Sequence, residues 1–109
     1  MSDAICLPCS TATPRLPADA CQRAMTGLHP DWQLDATATQ ITRAFAFKGF
    51  AKAAQLANLA VWYAEKTGHH PDIAFGWGYC RLTYTTHEIG GLSEVDFATA
   101  TGFDTLLAG

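Results

Sequence analysis

The sequence predicts an α+β domain in which three helices pack on one face of a four-stranded antiparallel sheet, in the order α-β-β-α-β-β-α. Three observations predict it. The hydrophobic period switches along the chain between two residues and three to four. Glycine and proline mark the switches. A length of 109 residues, 49% of them hydrophobic, suits one core and leaves little room for a second. Residues 1–15, with Pro, Ser and Thr crowding their second half, read as a flexible tail, and residues 16–109 as a single domain.

The elements follow in order. Residues 16–28 carry Pro17 at a first helical position, Ala20, Ala24 and Met25 at helical spacing, and Gly27 near the end, which predicts a short helix. His29-Pro30-Asp31 breaks it, and Trp32-Gln33-Leu34 opens the first strand. Residues 40–47 alternate, with Ile41, Arg43, Phe45 and Phe47 on one side and Thr42, Ala44 and Ala46 on the other; Arg43 runs against the pattern. From Gly49 the period lengthens. Phe50, Ala53, Ala54, Ala57, Ala60, Val61 and Ala64 form one helical stripe, whose alanines let the helix lie close to a sheet. Gly68 is placed to end that helix in a left-handed conformation, and Pro71 stops it from resuming. Ile73, Phe75 and Trp77, a turn at Gly78, and Cys80, Leu82, Tyr84 and Thr86 make a hairpin. Ser93 as N-cap, Asp96 in the first turn and the stripe Phe97, Ala100, Phe103, Leu107 predict a closing helix.

Composition excludes several functions. The net charge of −3 comes without a Lys/Arg cluster, so neither nucleic acid nor an anionic membrane surface is an expected partner. There is no apolar run of about 18 residues and no basic-then-apolar N-terminus, so the chain is expected to be cytoplasmic. Cys6, Cys9, Cys21 and Cys80 are too few and too uneven for a disulfide framework, and reduced thiols are expected. Cys6 and Cys9 have the gap of a zinc knuckle or a redox pair, but no second close pair follows, and the alternative is an inert tail. With only 16% charged residues, part of the apolar surface is expected to be covered by another subunit.

The chemistry concentrates in Gly68-His69-His70-Pro71 and Thr85-Thr86-His87-Glu88, which hold three of the four histidines. Imidazole exchanges protons near neutrality, so convergent copies point to acid/base catalysis or to a metal. Neighbouring residues of an extended backbone face opposite ways, so His69 and His70 are poorly placed to ligate one ion, and no metal site is expected. His29 reads as a surface residue. Both segments fall where elements end, and such loops display functional groups on a rigid scaffold.

The series Glu65, three residues, His69-His70-Pro71, five residues, Trp77, nine residues, His87, eight residues, Asp96 resembles the signature of the pterin-4a-carbinolamine dehydratases. Trp32-Gln33-Leu34 is similar to that family's early tryptophan strand, and Phe45-Ala46-Phe47 with Gly49-Phe50 to its strand-to-helix junction. The resemblance covers about residues 17–107. It implies a hydro-lyase without cofactor or metal, which dehydrates a 4a-hydroxytetrahydropterin to the quinonoid dihydropterin and recycles the pterin for aromatic amino-acid hydroxylases. His69, His70 and His87 are then the implied catalytic set, with His70 and His87 as the acid/base pair. The implied substrate-binding residues are Trp32, Glu65, Pro71, Thr85, Thr86, Glu88 and Asp96. Glu65 or Asp96 would orient an imidazole, each being alternatively a solvated carboxylate, and Trp32 would form an aromatic wall or else plain core. Gly68 departs from those relatives that carry an acid before the histidine pair, which removes a polar contact and bears on affinity rather than on chemistry. The resemblance also implies a homodimer or homotetramer.

Two other readings stand beside this one. Proteins of this fold also act without catalysis, as a dimerisation cofactor of a transcription factor or as a Rubisco assembly factor; the intact histidine set argues for the enzyme. A small structural zinc protein is the third reading, and metal analysis separates it from the others.

Overall fold

The computed structural model describes residues 14–108. Most of the expected tail, including Cys6 and Cys9, lies outside the described residues. Within them the chain forms α1 (Ala18–Met25), β1 (Trp32–Leu34), β2 (Ile41–Ala46), α2 (Phe50–Thr67), β3 (Asp72–Gly76), β4 (Tyr79–Tyr84) and α3 (Glu94–Ala108). The four strands make one antiparallel sheet, as expected, and lie in the order β1-β2-β4-β3, with Ile41 opposite Tyr84 across β2 and β4 and Ile73 opposite Leu82 across β3 and β4. No helix among the described residues is long and apolar enough to cross a membrane.

Each helix ends for a local reason. Pro17 is extended (φ −70°, ψ 163°) and caps α1 instead of opening it, so the first helical hydrogen bond runs from the Cys21 N–H to the Pro17 carbonyl. Helix α2 stops at Gly68, whose φ of 79° is left-handed and open to glycine without steric cost. Gly78, at φ 87°, makes the β3–β4 turn in the same way. Ser93 and Asp96 open α3 reciprocally: the Ser93 hydroxyl accepts from the Val95 N–H, and the Asp96 carboxylate accepts from the Ser93 N–H at 3.0 Å.

The core lies between the helices and the inner sheet face, where Ile41, Cys80, Leu82 and Tyr84 are fully buried. The buried face of α2 is Ala53, Leu56, Ala57, Ala60 and Ala64. This corrects the expected stripe, because Phe50 and Val61 stand outside it. Alanine lets α2 settle closely on the sheet, and the larger flanking residues are left at its margins; Phe50 leans on Phe75 at the sheet edge, 5.7 Å between ring centres.

Arg43, the residue that broke the strand alternation, does face the helices. Its Nη1 donates to Asp104 of α3 at 2.7 Å, and its guanidinium lies 4.5 Å from the centre of the Phe45 ring. The Trp32 Nε1–H donates to the same Asp104 carboxylate. One acid thus ties α3 to β1 and β2.

Candidate active site

The left-handed turn at Gly68 sends the two histidines in different directions. His69 goes inward and its side chain is 5% exposed; His70 goes outward at 61%. The Nε2 of His69 lies 2.5 Å from Oδ1 of the fully buried Asp96. A carboxylate accepts, so that ring nitrogen carries the proton. The ring also stacks on Tyr84, 5.8 Å between centres and 11° from parallel. His70 Nε2 sits 3.1 Å from Glu65 Oε2, so Glu65 reaches the second histidine of the pair.

The second segment leaves β4 at Tyr84. Its Thr85 hydroxyl donates to the Thr39 carbonyl at 2.6 Å, which ties this strand end to the β1–β2 connection. Thr86 turns inward, fully buried, and donates to Asp96 Oδ2 at 2.7 Å; its hydroxyl also lies 3.0 Å from that of Ser93. His87 opens a single tight turn, His87–Ile89, rather than closing the strand as expected, and is exposed. Among the described residues His87 has no carboxylate within ion-pair distance, unlike the other two histidines of the site.

These segments enclose an open cleft of about 160 Å³ lined by Gly68, His69, His70, Thr85, His87 and Glu88. That is below the ~300–1,000 Å³ of pockets that engulf a small molecule, so the cleft is a shallow surface site. Among the described residues no three His, Cys, Asp or Glu side chains are grouped to hold a metal ion.

The structure therefore brings His69, His70, His87, Thr85 and Glu88 to one surface, with Glu65 joined through His70. It sets Asp96 and Thr86 behind that surface, acting on His69. Pro71 is half-buried and follows the pair without lining the cleft. Trp32, expected as a wall, lies in the core at 3% exposure and does not line the cleft; its ring centre is 5.9 Å from that of Tyr84. Burial pushes the Tyr84 phenol far above its ordinary range, and Tyr63, Asp96 and Asp104 act in the same direction, so Tyr84 is neutral around physiological pH. Sequence reasoning missed Ser93 and Tyr84 as partners of this site. Ser93 shows in the sequence only as a helix cap, and Tyr84 only as an inward strand position.

Residues 14–106 match the family model described as pterin 4 alpha carbinolamine dehydratase. A protein of Paracoccus denitrificans, provisionally named pterin-4-alpha-carbinolamine dehydratase, is 53% identical over 84% of each chain. One of Methylococcus capsulatus with the same provisional name is 41% identical over 94% of this chain and 90% of its own. Among solved structures, a transcriptional coactivator/pterin dehydratase of Brucella melitensis superposes with a TM-score of 0.75 at 31% identity, covering 85% of this chain and 98% of that one. A pterin dehydratase-like protein identified as a RuBisCO assembly factor of the alpha-carboxysome superposes at 0.58 with 28% identity, over 72% and 90%.

Proposed function

The chain belongs to the pterin-4-alpha-carbinolamine dehydratase family, and from that premise we propose that it dehydrates a 4a-hydroxytetrahydropterin to the quinonoid dihydropterin at the histidine cleft. One observation carries the reading: imidazoles from two segments distant in sequence line one surface. In the reaction a base takes the N5 proton while an acid protonates the 4a-hydroxyl. The C4a–O bond breaks, water leaves, and the C4a=N5 double bond forms. His70 and His87 are the acid/base pair, both exposed, so each returns to its starting protonation state by exchange with solvent. His69, clamped by Asp96, is the fixed wall against which the ligand registers. Thr85 and Glu88 contact the rim of the pterin, and Thr86 acts through Asp96.

The test is stopped-flow dehydration of chemically generated 4a-hydroxytetrahydropterin. Acceleration over the spontaneous reaction, lost by roughly 10²-fold in His70→Ala and in His87→Ala, supports the reading; a wild-type protein that gives no acceleration ends it. The likeness to a RuBisCO assembly factor, together with Trp77 at 71% exposure on the β3–β4 turn, favours partner binding as the second reading. In that case partner capture survives loss of both histidines. The proposal extends to a cytoplasmic homodimer or homotetramer that recycles pterin for an aromatic amino-acid hydroxylase, with sedimentation and co-purification as its checks.

A further inference from the structure

The connection between β1 and β2, residues 35–40, is folded around one carboxylate. Asp35 Oδ1 accepts from the Thr39 N–H at 2.8 Å and the Gln40 N–H at 3.1 Å, while Oδ2 accepts from the hydroxyls of Thr37 at 2.8 Å and Thr39 at 3.1 Å. Ala38, inside this loop, is left-handed at φ 56°, a conformation that the Cβ of an alanine resists, so the turn is not one the backbone favours by itself. The Gln40 N–H and the Thr39 C=O belong to one peptide plane and point opposite ways. Asp35 takes the N–H end, and the Thr85 hydroxyl donates to the C=O end at 2.6 Å. The carbonyl that Thr85 meets is therefore aimed by Asp35.

Thr85 lines the cleft and stands at the neck of the turn that carries His87: its hydroxyl lies 3.3 Å from the Gly91 carbonyl, which also accepts from the Thr86 N–H at 2.9 Å. We infer that Asp35, which does not line the cleft, is a positioning residue of the site: it orients the Thr39–Gln40 peptide, which holds Thr85 and through it the turn that presents His87. The kinetic part of this inference rests on the dehydratase reading; the spectroscopic part does not.

The test sets Asp35→Ala against Asp35→Asn and Thr37→Val. Asparagine keeps an acceptor for the Gln40 N–H, and Thr37→Val deletes a bond to the same carboxylate without touching that peptide. The first readout is the ring signal of His87 by NMR, and the second is the split between kcat and KM in the stopped-flow assay. The third is a double-mutant cycle that combines Asp35→Ala with Thr85→Val. Asp35→Asn and Thr37→Val keep the His87 signal and a rate within about twofold of wild type. Asp35→Ala moves the signal and lowers kcat by about tenfold, with KM within about threefold, because an acid/base group is misplaced and not lost. The double variant is about as slow as the slower single one, since both substitutions break one chain of contacts. A folded Asp35→Ala protein with the wild-type signal and kcat overturns the inference; so does Asp35→Asn or Thr37→Val behaving like Asp35→Ala, or single effects that multiply in the double variant. If Asp35→Ala does not fold, Asp35→Leu takes its place, and failure of both assigns Asp35 to folding and rejects the positioning role. A wild-type protein with no dehydratase activity refutes the proposed function, while the His87 signal still decides the role of Asp35.

Discussion

Replacing Asp96 by asparagine changes one buried atom and separates the two jobs of this carboxylate, opening α3 and gripping His69. Asp96 is fully buried and accepts from His69 Nε2 at 2.5 Å, Thr86 Oγ1 at 2.7 Å and the Ser93 N–H at 3.0 Å. Asparagine offers one acceptor oxygen. Turned toward Thr86 and Ser93, it keeps both bonds, but each falls from a charged bond of about 1.5–3 kcal/mol to a neutral one near 1 kcal/mol. Its NH2 then meets the Nε2–H of His69, so that contact is lost or the imidazole changes tautomer. The expected destabilisation is roughly 3–4 kcal/mol, below the ~5–15 kcal/mol stability of an ordinary domain, so the variant folds. Urea unfolding followed by circular dichroism reads that number. Dehydration slows by about 10²-fold or more, because the wall of the site presents the wrong ring nitrogen. Stability within about 1 kcal/mol of wild type, with a rate within about threefold, would show that the Asp96 carboxylate neither anchors α3 nor holds His69.

Asp104→Ala leaves the Arg43 guanidinium and the Trp32 indole N–H buried without their acceptor, and unfolding free energy falls by about 3–5 kcal/mol; adding Arg43→Met recovers part of it. Gly68→Ala forces a side chain into φ 79° and costs about 1–2 kcal/mol, read as a lower Tm, and it weakens catalysis by redirecting the histidine pair. Burial raises the Tyr63, Tyr84, Cys21 and Cys80 pKa values. These groups are neutral in both states at low pH, and the unfolded chain ionises first as pH rises. Stability is therefore fully present below the unfolded thiol and phenol pKa values of about 8.5 and 10 and falls above them, by up to ~1.4 kcal/mol per pH unit for each group. Tyr84→Phe flattens the decline above about pH 10, which unfolding curves across alkaline pH measure. The same variant removes an unpartnered buried hydroxyl and gains about 1–3 kcal/mol at neutral pH.

The element order was legible because each element writes its own period and its own stop signal. Gly68 and Gly78 sit where the backbone turns left-handed, and Ser93 with Asp96 caps α3 in sequence as in space. What depended on distant partners was not legible. Arg43 broke the alternation of its strand, yet it faces inward because Asp104, on another element, receives it. Phe50 and Val61 fit the apolar period of α2 yet stand exposed, because closeness of approach, set by alanines, decides which face is covered. At the site, the spacing of the histidines picked out the residues that line the cleft. The roles of Trp32 and Thr86 were not readable from spacing, since an indole fixed by Asp104 and a hydroxyl spent on Asp96 are consequences of packing.

The proposed dehydration requires His70 and His87 to serve one ligand from two segments. Side-chain NMR of histidine-labelled protein, titrated with a reduced pterin that lacks the 4a-hydroxyl and cannot react, measures this directly, with His29 as internal reference. The His70 and His87 signals are expected to move together and saturate with a single Kd while His29 stays still. Signals that move with different Kd values, or only one that moves, would contradict it.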